Sequence, residues 1–488
     1  MKLSELIASL KIAPYGGTDI EIRGLAYDSR QVKPGYLFFA IPGAKFDGHD
    51  FINEAVSRGA TAVVVENPRG SSAASAVELV VADSRGALAG AAAKFYGYPS
   101  KKFKLIGITG TNGKTTTAYL LESIFQAAGL KTGLIGTIEY RIAGERFVAE
   151  RTTPESLDLQ RIFASMVDKG VETAIMEASS HALKLRRVDG SSFAARVFTN
   201  LSRDHLDFHT DMEDYFAAKA RFFTDEAFGG GPSVINIDDP YGRRLADTAS
   251  EPVITFGMGS GDYYPIDIDL SVKETAFSLV GPAGSLAIRS RLIGAFNLIN
   301  LIAAAAVASR LGVDGAAISA GLLSVGHVPG RFEKVACGQD FQVLVDYAHT
   351  PDGLEKVINA ARALAGANRL LTVFGCGGDR DKGKRPKMGA IAAALSDIAF
   401  VTSDNPRSES PESIIDDILA GISKEAPAEV IVTVDRAEAI NQAVGRARSG
   451  DVVLIAGKGH ETYQILADRV IPFDDRRVAR EALKGVDR

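Results

Sequence analysis

The chain has 488 residues, 46% hydrophobic and 24% charged, a balance that excludes disordered, collagen-like and coiled-coil classes. At roughly 150 residues per domain, that length corresponds to about three domains, each able to bury its own core. With 55 Lys and Arg against 60 Asp and Glu, the net charge of −5 is too mild for a nucleic-acid surface or a polybasic membrane patch.

Two cysteines, Cys337 and Cys376, cannot build a disulfide framework or a four-thiolate metal site, and they fit a reducing compartment such as the cytoplasm. The N-terminal MKLSELIASLKI carries Glu5 and Lys11 among its apolar residues. It is expected to form an amphipathic helix rather than a signal peptide. Apolar stretches such as Leu301 to Ala308 fall short of the ~18 residues of a membrane span, so none is expected. The 49 glycines exceed the average of about 7% and suggest loops that approach ligands.

In chain order, residues 1–99 mix strand-like runs, Thr61 to Glu66 and Val77 to Val81, with exposed turns in Tyr27 to Ile52, the pattern of a small α/β unit. YGYPSKKFK, from Tyr96 to Lys104, is a plausible domain boundary. Beyond it, LIGIT (Leu105 to Thr109) reads as a buried strand, followed by a Gly-rich turn and a helix from about Thr115 to Ala128. Further strands are expected at Thr173 to Glu177, Ala195 to Thr199 and Ser233 to Ile237, and an alanine-rich helix at Asn297 to Leu311. The loop Gly326 to Glu333 is taken as a second boundary, giving domains 1–99, 100–330 and 331–488. From Phe341 the runs FQVLVDY, LLTVF, IAFVTS, VIVTV and VVLIAG alternate with helical segments, which predicts a parallel sheet. Ligands sit at the carboxyl ends of such strands, here the loops HTPDG, GCGGDRDKGKRP, DNPRSESP and GKGHETY. The fold class is therefore three-domain α/β.

GITGTNGKTTT, from Gly107 to Thr117, lies between strand and helix, where backbone N–H groups cradle phosphates. Lys114 would neutralise the phosphates and Thr115 would offer its hydroxyl to Mg²⁺. The strict pattern has glycine where this chain has Ile108, so the motif is a variant that still points to ATP or GTP. No asparagine is followed by lysine, which removes the guanine-reading element and favours ATP. Glu177 ends a strand where a carboxylate could help hold Mg²⁺.

The segment NLSRDHLDFH gathers His205 and His209 before a helix on which Met212, Tyr215, Phe216, Phe222 and Phe223 share an apolar face. Lys219 falls at the centre of that face. Such a lysine either snorkels to solvent or is modified or paired with phosphate, and spacing alone does not choose. Arg380, Arg385 and Arg407 supply guanidiniums on neighbouring loops, suited to carboxylates or phosphates or simply solvated.

Together DSRQVKPGYLFFAIPG, GITGTNGKTTT, MEASSHAL, NLSRDHLDFH, the AAK helix, GAFNLIN, PGRFE, DYAHTPDGL, GCGGDRDKGKRP, DNPR and GKGHE closely resemble the Mur ligases, specifically those adding the third residue of the peptidoglycan stem peptide. The resemblance spans all three regions. It implies an N-terminal domain for the UDP-linked substrate, a central ATP-binding domain and a C-terminal, Rossmann-like domain for the amino acid. The implied reaction is ATP-dependent addition of meso-diaminopimelate to the D-Glu γ-carboxylate of UDP-N-acetylmuramoyl-L-Ala-D-Glu through an acyl phosphate.

By the same resemblance, Gly110, Thr111, Asn112, Gly113, Lys114, Thr115, Thr116, Asn297, Arg331 and Asp346 would bind ATP. Thr115, Glu177, His205 and Lys219, the last as a carbamate, would hold Mg²⁺, with Lys114, Lys219, Glu177 and His205 catalytic. Ser29, Thr152, Thr153, Ser179 and Arg187 would meet the UDP-linked substrate, although Leu185 stands where relatives commonly carry a glutamine. Arg385, Asp404, Asn405, Pro406, Arg407, Gly457 and Glu461 would receive the amino acid, and Arg407 favours diaminopimelate, whose distal carboxylate a guanidinium matches. The alternatives are the same reaction with L-lysine, a folylpolyglutamate-type ligase, and a non-catalytic nucleotide switch. A monomer is expected, with domains that close to bring the split motifs together.

Overall fold

The computed structural model describes residues 1–8, 19–43, 46–67, 76–250, 252–271 and 273–485. At the N-terminus, strands Gly24–Ala26, Tyr36–Phe39, Ala60–Val65 and Val77–Val80 form a parallel sheet in that order. The expected N-terminal helix spans Leu3–Ala8, and Lys11 lies outside the described residues. Helix Ser84–Phe95 is started by Asp83, whose side chain accepts from the N–H groups of Arg85 and Gly86, satisfying donors that the helix cannot pair internally. Its Leu88, Ala91 and Ala92 pack with Leu37, Phe39 and Val64, and Leu157 of the next domain joins that core.

The central sheet has eight strands in the spatial order Val253–Phe256, Ser233–Asn236, Ala195–Phe198, Lys104–Thr109, Thr173–Glu177, Thr132–Ile135, Glu139–Ile142 and Glu145–Val148. The first six run parallel and the last two add an antiparallel hairpin. Helices cover both faces, which is why its central strands read as unbroken apolar runs. Ile106 and Ile108 face helices Lys114–Ala127 and Ala295–Arg310, whereas Leu105 faces helices Ser156–Asp168 and Met212–Thr224.

One element was not separable in the sequence. Tyr264–Leu270, Thr275–Gly281 and Gly284–Ser290 form a three-stranded antiparallel meander. Its Phe277, Leu279 and Ile288 pack into the same core as the alanine-rich helix.

The C-terminal sheet runs Glu333–Val335, Gln342–Asp346, Val452–Ala456, Leu370–Phe374, Ile398–Val401 and Glu429–Val432. The five strands read from the sequence are parallel, and the first in this order adds an antiparallel edge. Val452–Ala456, the latest of these six in the chain, inserts between Gln342–Asp346 and Leu370–Phe374, so the connections diverge there and leave a crevice at the carboxyl ends. Among the described residues no helix is long and apolar enough to cross a membrane.

Candidate active site

The strand Lys104–Thr109 breaks at Gly110, and the next helix starts at Lys114 behind Gly113. A β-carbon on Gly110 would lie 1.9 Å from Thr199 Oγ1, and one on Gly113, where φ is +88°, would lie 2.4 Å from Asn300 Oδ1. Both positions therefore require glycine. Ile108 departs from the strict pattern because it is still in the strand and fully buried, so the turn begins two residues later. The loop is braced from outside: Thr111 N donates to Asn200 O over 2.8 Å, Asn112 N to Asn200 Oδ1 over 2.9 Å, and Thr199 Oγ1 to Asn112 O over 2.7 Å. What remains for an anion is the helix start, whose first-turn N–H groups lack intrahelical partners.

Lys114 folds back over this loop, with Nζ 2.9 Å from Gly110 O and 2.8 Å from Thr111 O. Burial lowers its pKa, while Glu177 opposes that shift. Thr115 Oγ1 donates to Glu177 Oε2 over 3.1 Å. Glu177 also accepts from the N–H and hydroxyl of Thr137, both at 2.9 Å. Sequence reading missed Thr137, which sits in a short turn outside any recognised motif.

The unexpected Lys219 is buried. Its Nζ donates to Gly110 O over 2.9 Å and lies 4.8 Å from the centre of the Tyr215 ring. It does not snorkel. Burial, reinforced by neighbouring Lys114, holds its pKa well below that of an ordinary lysine. Asp204 counts among the charges acting on Lys114, Lys219 and His205, and His205 itself has a left-handed backbone with φ +55°. Lys114 and Lys219 both donate to Gly110 O over 2.9 Å, and His205 Nε2 lies 3.3 Å from Asp204 Oδ2. His209 has a different place: Nε2 lies 3.0 Å from Ser180 Oγ and Nδ1 lies 3.3 Å from Asp214, tying helix Met212–Thr224 to the turn after Glu177.

Asn297 Nδ2 donates to Ile293 O over 2.9 Å and its Oδ1 accepts from Asn300 Nδ2 over 3.3 Å. Asn300, which meets Gly113, was another omission, although two asparagines three apart in an otherwise apolar helix are a readable signal. Arg331 reaches across from the C-terminal side, donating from Nη2 to Thr115 Oγ1 over 3.1 Å and stacking 4.5 Å over Tyr347. Asp346 is buried and accepts from Phe332 N and Ala348 N, each over 2.7 Å. Burial raises its pKa despite the nearby Arg331. Thr116 lies buried in the first turn behind the loop.

On the opposite side of Glu177, Thr152 Oγ1 lies 3.1 Å from Thr137 Oγ1. Thr153 Oγ1 donates to Glu177 O over 2.8 Å, and Ser179 caps helix Ser180–Lys184. Arg187 pairs with Glu155 over 2.9 Å, and Arg85 and Arg151 reach the same carboxylate. Leu185 is the residue that ends the Ser180–Lys184 helix. Ser29 is set apart in the N-terminal domain, donating to Glu54 over 2.8 Å.

The C-terminal residues gather separately. Asn405 Nδ2 donates to Glu461 Oε2 over 2.9 Å, and buried Lys458, unremarked in the sequence, bridges Asn405 Oδ1 at 3.0 Å and Glu461 at 2.9 Å. Asp404 accepts from Asn405 N over 2.6 Å, and a β-carbon on Gly457 would come within 2.7 Å of its carboxylate. Arg385 is buried and engaged, giving two hydrogen bonds to Glu409 and one to Asp417. Arg407 donates from Nη1 to Gly378 O over 2.8 Å, and Pro406 O packs against Gly378.

Among the described residues no three His, Cys, Asp or Glu side chains assemble into a metal cage. Thr115 and Glu177 instead present hard oxygen donors side by side, the partial set that Mg²⁺ takes together with phosphate oxygens and water. The residues fit an ion that arrives with a nucleotide.

A phosphate loop on a parallel sheet, closed over by an arginine from a doubly wound C-terminal domain and flanked by a smaller N-terminal domain, defines a three-domain nucleotide-dependent enzyme architecture. Three family models cover most of the chain: Mur ligase family, catalytic domain, over 21–96; Mur ligase middle domain over 108–308; and Mur ligase, glutamate ligase domain, over 330–459. The chain is 50% identical to a UDP-N-acetylmuramoyl-L-alanyl-D-glutamate–2,6-diaminopimelate ligase of Gloeobacter violaceus, across 99% of its length and 98% of the relative's. It is also 50% identical to the same-named ligase of Solibacter usitatus, across 99% of both. A solved structure of a ligase with that name matches with a TM-score of 0.70 and 34% identity over 99% of each chain. The chain belongs to the Mur ligase family.

Proposed function

We propose that the protein joins meso-2,6-diaminopimelate to the γ-carboxylate of the D-Glu residue of UDP-N-acetylmuramoyl-L-Ala-D-Glu, consuming ATP, in peptidoglycan precursor synthesis. The observation that carries this reading is full-length similarity at 50% identity to ligases named for that reaction, in a chain that has Arg407 in its DNPR loop. An L-lysine substrate would leave that guanidinium without its carboxylate.

A carboxylate is a poor electrophile, so the γ-carboxylate attacks the γ-phosphorus of ATP, releasing ADP and forming an acyl phosphate. The amine of diaminopimelate then attacks the acyl carbon, inorganic phosphate leaves, and the amine gives up its proton to form the amide. The protein contributes positioning and charge neutralisation. Lys114 and the first turn of its helix receive the ATP phosphates, with Asn297, Arg331 and Asp346 toward the adenosine. Ser29, Thr152, Thr153, Ser179 and Arg187 hold the UDP-linked substrate. Arg385, Asp404, Asn405, Pro406, Arg407, Gly457 and Glu461 receive the amino acid.

Thr115, Glu177 and His205 would hold Mg²⁺, which when bound supplies charge neutralisation at the transferring phosphoryl group. A neutral buried Lys219 can add CO₂ to give a carbamate and a proton, converting an amine into an anionic ligand. Residues 1–99, 100–330 and 331–488 would serve the UDP-linked substrate, ATP and the amino acid respectively, in a cytoplasmic monomer.

The test is mass analysis of the product formed by purified protein from ATP, Mg²⁺, the UDP-linked dipeptide and diaminopimelate. One added diaminopimelate residue per ADP supports the reading; an unchanged UDP-linked dipeptide contradicts it.

A further inference from the structure

Among residues other than glycine, two with a left-handed backbone lie on neighbouring loops of the C-terminal domain: Asp379, with φ +52°, and Arg407, with φ +53°. Aspartate tolerates that conformation, whereas a long side chain such as arginine adopts it only when its surroundings impose it. The loops carrying them are in backbone contact. Gly378 N donates to Asn405 O over 2.9 Å, and a β-carbon on Gly378 would lie 1.9 Å from Pro406 O.

The residue after Arg407 supplies the clamp. Ser408 Oγ donates to Asp379 Oδ1 over 2.6 Å and Ser408 N donates to Asp379 Oδ2 over 3.2 Å. One carboxylate thus holds both the side chain and the backbone immediately following the strained position. Glu409 secures the other end: it accepts from Asp379 N over 2.6 Å and from both terminal nitrogens of Arg385. The result at Arg407 is directional. Nη1 is pinned to Gly378 O over 2.8 Å, while among the described residues Nε and Nη2 make no hydrogen bond.

We propose that Asp379 and Ser408 are positioning residues that lock the left-handed backbone at Arg407 and so aim the free edge of its guanidinium at the distal carboxylate of the incoming diaminopimelate. This rests on the reading of Arg407 given above. The lock explains why arginine keeps a costly conformation: in an extended one, its side chain would leave the loop surface that Gly378 and Asn405 define.

The test compares the KM for diaminopimelate, ATP and the UDP-linked dipeptide in Ser408→Ala, Asp379→Gly, Asp379→Asn and Arg407→Ala. Asp379→Gly keeps backbone freedom and deletes the clamp; Asp379→Asn keeps an oxygen acceptor and tolerates the left-handed conformation. Ser408→Ala and Asp379→Gly are expected to raise the KM for diaminopimelate about tenfold, as loss of aim at one charge-assisted contact would. Their KM for the other two substrates and their kcat at saturating diaminopimelate stay near native values, and Asp379→Asn largely restores the first KM. Native KM for diaminopimelate in both clamp variants, with Arg407→Ala impaired, overturns the lock alone. A parallel rise in all three KM values likewise overturns it, because that pattern marks general loosening. A native KM in Arg407→Ala overturns the reading of Arg407 and the lock with it.

Discussion

Arg331 and Thr115 meet across two domains: the guanidinium Nη2 donates to the threonine hydroxyl over 3.1 Å, on the first turn of the helix behind the phosphate loop. The same guanidinium stacks on Tyr347, so its plane is fixed by the C-terminal domain while its tip serves the central one. Arg331→Ala is expected to raise the KM for ATP about tenfold, the scale of one lost hydrogen bond from a charged group. Arg331→Lys recovers little, because an ammonium neither stacks nor forks in the same way. Steady-state kinetics check this; a lysine variant with a near-native KM for ATP would show that charge alone suffices.

A second bridge between the domains runs through Asp352, which accepts from Asn112 Nδ2 over 2.7 Å and from Ser202 Oγ over 3.0 Å. Asp352→Ala removes the acceptor from both, and the domains are expected to separate more readily. Small-angle scattering of the free protein should give a larger radius of gyration for the variant, with kcat reduced by about tenfold, the effect of one charge-assisted hydrogen bond. Identical scattering would locate the closing contact elsewhere.

Burying Lys219 carries a stability cost. Its burial disfavours the ammonium, and methionine has nearly the same length without that burden. Lys219→Met is expected to abolish ligase activity yet raise Tm in CO₂-free buffer, by about 2–4 °C for each kcal/mol recovered in a domain of this size. A lower Tm would mean that the bond to Gly110 O outweighs the cost of burial.

Glu409 makes acid stability readable. Hydrogen bonds from Arg385 hold its carboxyl down to about 2, below the ordinary glutamate value of about 4.3. Its contribution to stability is therefore complete above the unfolded-state value and fades as pH falls toward 2. Glu409→Gln is expected to flatten the loss of stability across that window, measured as denaturation midpoints at stepped pH. An unchanged slope would assign the acid sensitivity to other carboxylates.

The parallel sheets were legible because strands covered on both faces read as short apolar runs separated by turn residues, as at Leu105 to Thr109 and Leu370 to Phe374. The meander from Tyr264 was not, since Ile266, Ile268 and Leu270 are exposed on its outer strand and alternate with acids without marking an inner face. Lys219 stood out because a charge interrupts a helical apolar stripe. Thr137 and Lys458 gave no such signal: their roles depend on partners 40 and 53 residues away, Glu177 and Asn405. The backbone strain at Arg407 is likewise invisible in the letters DNPR, because it is imposed by a loop from another strand.

The most direct measurement is ADP release by the purified protein with ATP, Mg²⁺ and UDP-N-acetylmuramoyl-L-Ala-D-Glu, comparing meso-diaminopimelate, L-lysine and no amino acid. Release that depends on diaminopimelate is the predicted result. Release with lysine alone would retain a ligase and contradict the role given to Arg407, and no release under any condition would contradict the proposed reaction itself.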